Sequence, residues 1–196
     1  MMKTLLITGF DPFGGETVNP SWEAVKLLPD SIGSLRLVKL QLPVVFREAA
    51  CKVIEAAEEC GADHILCIGQ AGGRKAVTPE FAALNVRAAR IADNQGNVAQ
   101  ADRIVVDGAD GLFSTVPVRR MADAICEAGL PGTVSYHAGT FVCNDVLYSV
   151  LHHFQNTSVT AGFIHVPYLP EQAGEGTPSL PLQEIVTALC AAISCL

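Results

Sequence analysis

A chain of 196 residues, 49% hydrophobic and 17% charged, is long enough to bury a substantial core and fits one domain, 1–196. Its net charge of −7 leaves no basic footprint, so neither nucleic acid nor an anionic membrane surface is an expected partner. The seven cysteines are odd in number and form no C-x-x-C pair, which reads as reduced thiols in a cytoplasmic protein.

The N-terminal "MMKTLLITGFDPFGG" meets Gly-Phe-Asp-Pro too soon for a secretory signal, and no run approaches a membrane span. "KTLLITG" is instead a continuous apolar strand, as in a sheet covered on both faces. "NPSWEAVKLLP" reads as a short helix, capped by Asn19 or Ser21 and stopped by Pro29. "LRLVKLQLPV" alternates like a strand, "FREAACKVIEAAEECGAD" is a helix closed by Gly61, and "HILCIG" is a buried strand. "FAALNVRAARIADNQGN" reads as an extended stretch and a polar turn. A helix over roughly 117–128 follows, closed by Gly129. Then come a strand in "GTVSYHAG", a helix over 143–155, the strand "TAGFIHV" and a last helix in "PLQEIVTALCAAISCL". Strands alternating with helices predict an α/β fold: a three-layer α/β/α sandwich around a twisted, mostly parallel, mixed sheet.

The stretch "AGTFVCNDVLYSVLH" places Cys143 where the predicted strand stops and a helix begins. Val146, Leu147, Val150, Leu151 and Phe154 lie at helical spacing, and Asn144 and Asp145 suit a first turn. At a helix N-terminus, free N–H groups and the dipole favour a thiolate and can hold an oxyanion. A thiol nucleophile needs a general base, usually histidine, and a group to orient it. His152 and His153 sit two or more turns along the helix and point elsewhere. His64 opens a strand, and His137 fits a site or a sheet equally well. His165 lies near the carboxyl end of "TAGFIHV", where ligands gather in open α/β sheets. Asp11, Glu80 and Asp93 are candidate carboxylates near strand ends, and position alone does not choose among them. Phe10 and Phe13, in a Gly/Pro-rich loop, suit either the wall of a small apolar pocket or an anchor for the loop. "GFDPFGG" and "GQAGGRK" match neither common phosphate-loop pattern.

Five stretches, in order along nearly the whole chain, resemble the pyroglutamyl peptidase I family of cysteine peptidases. They are "TGFDPFGGETVNPSWEAV", "GQAGGR", "ARIADNQGN", "AGTFVCN" and "GFIHVPYLPEQ". The resemblance implies Cys143 as nucleophile, His165 as general base and acid, and Glu80 as the group orienting the imidazole. It implies that Phe10, Phe13, Phe141 and Val142 form the pocket for a pyroglutamyl ring, with Asn19 and Gln70 as polar neighbours. Arg90 matches a family arginine beside the active site, near the developing oxyanion. Phe81 follows Glu80 where relatives commonly carry a basic residue, and Ala92 replaces a common proline. The implied activity is release of pyroglutamate from N-terminal pyroglutamyl peptides by a homo-oligomer, dimer or tetramer, without metal or organic cofactor. The rival readings are a different thiol-dependent amidase and a non-catalytic pyroglutamyl-binding protein.

Overall fold

The computed structural model describes residues 2–196. In chain order the elements are β1 (Lys3–Phe10), α1 (Pro20–Leu27), β2 (Ser31–Ile32), β3 (Leu35–Leu42), α2 (Glu48–Cys60), β4 (His64–Gln70), β5 (Thr78–Pro79), β6 (Ala82–Leu84), β7 (Arg87–Ala88), β8 (Gln100–Asp102), β9 (Gly111–Phe113), α3 (Val118–Glu127), α4 (Val142–Phe154), β10 (Thr160–Val166) and α5 (Leu182–Ile193). Six strands form the central sheet in the order β2-β3-β1-β4-β10-β5. The four inner strands are parallel, and the two-residue edges β2 and β5 are antiparallel.

Side chains alternate across the inner strands because successive Cβ atoms point to opposite faces. Leu5, Ile7, Leu66, Ile68, Ile164 and Val166 face one way and pack with α1, α3 and α5. Leu6, Phe10, Ile65, Cys67, Ala161 and Phe163 face the other way and pack with α2 and α4. Both faces are covered, which explains why these strands read as unbroken apolar runs. The layers are therefore those the alternating elements predict.

The helix ends follow the local chemistry. Asn19 caps α1, its side chain accepting from the Ser21 N–H, and Pro20 takes the first helical position. Gly61 closes α2 in the left-handed conformation, at φ +61°.

One predicted strand does not form. Residues 131–135 run beside 77–81 but make only two isolated parallel bridges, Val77–Gly132 and Glu80–Ser135, and the chain bends at Tyr136. The Val77 N–H donates to Pro131 O, and the Thr133 and Ser135 N–H groups donate to Val77 O and Pro79 O. Pro79 has no N–H, so one rung of that ladder is missing before it resumes with the Phe81 N–H donating to Ser135 O. Cys143 accordingly follows a loop rather than a strand, with Gly139 at φ +80° turning the chain ahead of the helix. The stretch read as extended before the polar turn forms two small ribbons, β6–β9 and β7–β8.

The close approach of α1 to β1 depends on Gly9. A Cβ there would lie 2.6 Å from Trp22 Cα and 2.7 Å from its nitrogen, both backbone atoms that cannot turn aside. Gly9→Ala should cost at least about 1–3 kcal/mol as an overpacking change, read as a lower urea midpoint. An unchanged midpoint would contradict this packing.

Candidate active site

The parallel pairing of β10 with β4 sets His165 opposite Gly69. Gly69 has no side chain, and the space is taken from the other side: a Cβ there would lie 3.0 Å from Cys143 Sγ and 2.7 Å from the Phe163 ring. Cys143, second residue of α4, thus drops its sulfur against β4 next to the strand that carries His165. The antiparallel edge β5 pairs Thr78 with His165 and brings Glu80 alongside, its N–H donating to Phe163 O.

Glu80 is fully buried, and its Oε1 lies 2.6 Å from His165 Nδ1. A carboxylate only accepts, so Nδ1 carries the proton and Nε2 presents its lone pair. The same oxygen takes a second donor, Arg74 Nη1, also at 2.6 Å. Arg74 donates to the Thr78 hydroxyl as well. Burial pushes the Glu80 carboxyl up. The His165 hydrogen bond and charge, with Ser135 and Arg74, outweigh burial and hold it below the usual range. Burial pulls the His165 imidazole below its ordinary value; the Glu80 bond and charge work against that, and Arg74 works with it. Burial, reinforced by the Glu80 charge, pushes the Cys143 thiol up to about 12. Both shifts favour the thiol and the neutral imidazole over the thiolate that a helix N-terminus alone favours.

The start of α4 is held rigidly. Asn144 accepts from the Leu84 N–H at 2.8 Å and donates to Leu84 O and Val86 O, its amide pairing with the backbone like a short strand. Asp145 accepts from Arg87 Nε at 2.6 Å and from the Arg47 N–H at 2.7 Å. Thr140 donates through its hydroxyl to Ala88 O and accepts the Ala88 N–H. The Val142 and Cys143 N–H groups, by contrast, have no acceptor among the described residues. They are two aligned donors beside the sulfur, at the positive end of a helix.

These groups border one cavity of about 490 Å³, counted with its open mouth. Phe10, Phe13, Phe141 and Val142 line it, as do Cys143, His165, Gln70 and Asn19. The Phe141 ring packs against Phe13 and edge-on against Phe46, with centroids 6.0 and 5.3 Å apart. Asn19 borders the cavity, but its amide is engaged internally: Nδ2 donates to Asp11 O, and Oδ1 accepts from the Ser21 N–H and hydroxyl. It shapes the Phe10–Phe13 loop.

Other candidates go elsewhere. Arg90 is exposed and lines a neighbouring depression with Ala88 and Gln100, which meets the cavity only at Thr140. Asp93 is tied into its own loop, accepting from the Phe46, Gln95 and Asn97 N–H groups. His137 is exposed in the loop before Gly139. His64 bonds the Thr160 hydroxyl at the opposite strand ends. No described group of three or more His, Cys, Asp or Glu residues could hold a metal ion.

A sequence profile of the pyroglutamyl peptidase family matches residues 2–196. The chain belongs to that family. The pyrrolidone-carboxylate peptidase of Lactobacillus helveticus is 46% identical over 192 residues, covering 96% of each chain. That of Yersinia pestis is 47% identical over 198 residues, 98% of this chain and 92% of its own. The crystal structure of Bacillus amyloliquefaciens pyroglutamyl peptidase I superposes with a TM-score of 0.95 at 44% identity, covering 98% of this chain and 96% of that one. The Thermococcus litoralis pyrrolidone carboxyl peptidase gives 0.94 at 34%, covering 99% and 93%.

Phe81, next to Glu80, has a clear placement. It turns away from Glu80 into a cluster with Phe113 and Tyr136, centroids 5.1 and 6.1 Å away, under the Arg119 guanidinium. The cation on Glu80 comes from Arg74 in the "GQAGGR" turn. That pairing carries no local sequence signal, since it depends on how the turn folds back over β5.

Because His165 resists protonation when folded, the unfolded chain takes up a proton that the native state refuses. Stability should therefore fall as pH drops below about 6.5, the ordinary histidine value. His64, also depressed by burial, adds to the same slope. Urea unfolding at pH 7.5 and 5.5 should show the loss, and His165→Gln should shrink it. An equal loss in His165→Gln would contradict the depressed imidazole.

Proposed function

We infer that this chain hydrolyses the amide bond after an N-terminal pyroglutamyl residue, with Cys143, His165 and Glu80 as its catalytic groups. The observation that carries the assignment of roles is the Glu80–His165 bond beside the Cys143 sulfur, at the rim of an aromatic cavity sized for a small ring.

The scissile carbonyl sits over the start of α4. As Cys143 sulfur attacks carbon, its proton passes to His165 Nε2, and the imidazolium forming against Glu80 is stabilised by that buried carboxylate. The Val142 and Cys143 N–H groups receive the oxyanion. His165 then gives its proton to the departing amine, leaving a thioester on Cys143. Water attacks the thioester with His165 as base, and pyroglutamate leaves while the thiol is restored. Starting from a neutral thiol and imidazole, the cycle separates charge only while substrate is in place.

The partner is an N-terminal pyroglutamyl peptide, whose blocked amine needs no acidic residue to hold an ammonium group. The same reading gives one catalytic domain over 1–196 and a homo-oligomer. The exposed Phe113 and Tyr136 rings are apolar surface of the kind an assembly covers. A cytoplasmic location fits the seven free cysteines, and no described helix is long and apolar enough to cross a membrane.

Release of a fluorescent amine from a pyroglutamyl amide, beside the prolyl amide, tests the reading. Wild-type protein should cleave only the former and lose activity to iodoacetamide; no cleavage by folded, reduced protein would sink the assignment. Cys143→Ala should abolish turnover with the fold intact. His165→Gln should lose roughly 100- to 10,000-fold in kcat, and Glu80→Gln less. Arg74→Gln removes a positive charge that depresses His165, so the acid limb of the kcat/KM profile should move to higher pH. A limb that stays put or moves down would contradict that role for Arg74.

A further inference from the structure

The cavity carries two side-chain amides, and only one is free to meet a ligand. Asn19 is engaged at both ends of its amide. Gln70, buried at the end of β4, has a single partner, and that partner fixes which way its amide faces.

Gln172 lies six residues beyond β10, in the loop that follows it. Its Oε1 accepts from the Leu169 N–H at 3.1 Å, and its Nε2 donates to Val18 O at 3.2 Å. A backbone N–H can only donate and a backbone carbonyl can only accept, so these two contacts define the Gln172 amide without ambiguity. The same Nε2 reaches Gln70 Oε1 at 3.1 Å and Glu16 Oε2 at 3.4 Å. Facing an NH2 group, Gln70 must offer its oxygen. Its own NH2 then has no acceptor among the described residues, and Gln70 is one of the residues that line the cavity.

We propose that Gln172 is a positioning residue for specificity: it holds the Gln70 amide so that the cavity presents a hydrogen-bond donor to the ring oxo group of the ligand. This rests on the lactam ligand inferred above. Without the clasp, the Gln70 amide could rotate and present its oxygen, which repels a lactam oxygen. A site built for a polar group discriminates strongly against a ring that lacks it. The clasp also ties the loop after β10 to Val18 and Glu16, near the Phe10–Phe13 loop, so one side chain joins the two segments flanking the cavity.

The test reads ligand binding without turnover. Alkylation of Cys143 by iodoacetamide is followed by peptide mass spectrometry, with 2-pyrrolidone as protectant and tetrahydrofuran, the same ring size without the oxo group, as control. Wild-type protein should be protected by 2-pyrrolidone alone. Gln172→Met should need about tenfold more 2-pyrrolidone, the scale of one hydrogen bond, while unprotected Cys143 reacts at the wild-type rate. In a Gln70→Met background, adding Gln172→Met should change nothing further, because Gln172 acts through Gln70. A merely structural role would weaken protection equally in both backgrounds. That result, unchanged protection in Gln172→Met, or no protection of the wild type would overturn the proposal. Should Gln172→Met fail to fold, Gln70→Glu keeps an acceptor facing Gln172 while it removes the donor and adds a negative charge, and undiminished protection there would also overturn it. If the protection pattern held in a protein that cleaved no pyroglutamyl amide, the activity would be wrong and the clasp right.

Discussion

The pairing of β10 with β4 fixes where the chemistry can happen. One register places His165 beside Gly69, and the missing side chain at Gly69 admits the Cys143 sulfur from the helix above. A slip of one residue would turn His165 to the other face of the sheet, among α1, α3 and α5. The apolar alternation along both strands, buried on each side, makes that slip prohibitively costly. Core packing and catalytic geometry are therefore held by the same set of contacts.

Around that register the structure concentrates buried charge at two places. Glu80 sits between His165 and Arg74, one oxygen serving both donors. Asp145, one helical turn from the nucleophile's end of α4, joins Arg87 and the Arg47 backbone. Breaking a buried pair by removing one partner costs far more than the pair itself contributes. These carboxylates thus act as fixed points: one sets the imidazole, the other the helix that carries the thiol. The Asn144 amide, bound to the backbone of residues 84–86, completes the second fixed point.

Much of this was legible in the residues. Apolar runs and helix-end signals located the inner strands and all five helices, and the place of Cys143 at a helix start marked it as a candidate nucleophile. His165 stood out by its place at a strand's carboxyl end. Choosing Glu80 over Asp11 and Asp93 needed the family motifs, because a carboxylate buried by an edge strand looks in sequence like any surface glutamate. The strand expected over 132–139 is reduced to two bridges: one rung is lost at Pro79, more than fifty residues earlier, and the chain bends at Tyr136. Arg74 and Gln172 escaped notice on the same ground: each acts through a contact made by a loop folding back, and neither periodicity nor spacing reports such contacts. Opposing influences also meet at the thiol: the helix end favours the anion, while burial and the Glu80 charge favour the neutral form.

The proline that interrupts the outer ladder has a consequence for the molecule among its neighbours. An open sheet invites another chain to add a strand along its unpaired border, the route to templated aggregation. Here the edge strand β5 is two residues long and ends in Pro79, with residues 131–135 already laid against it. Pro79 offers no N–H, so that border lacks the continuous run of donors that a foreign strand would need.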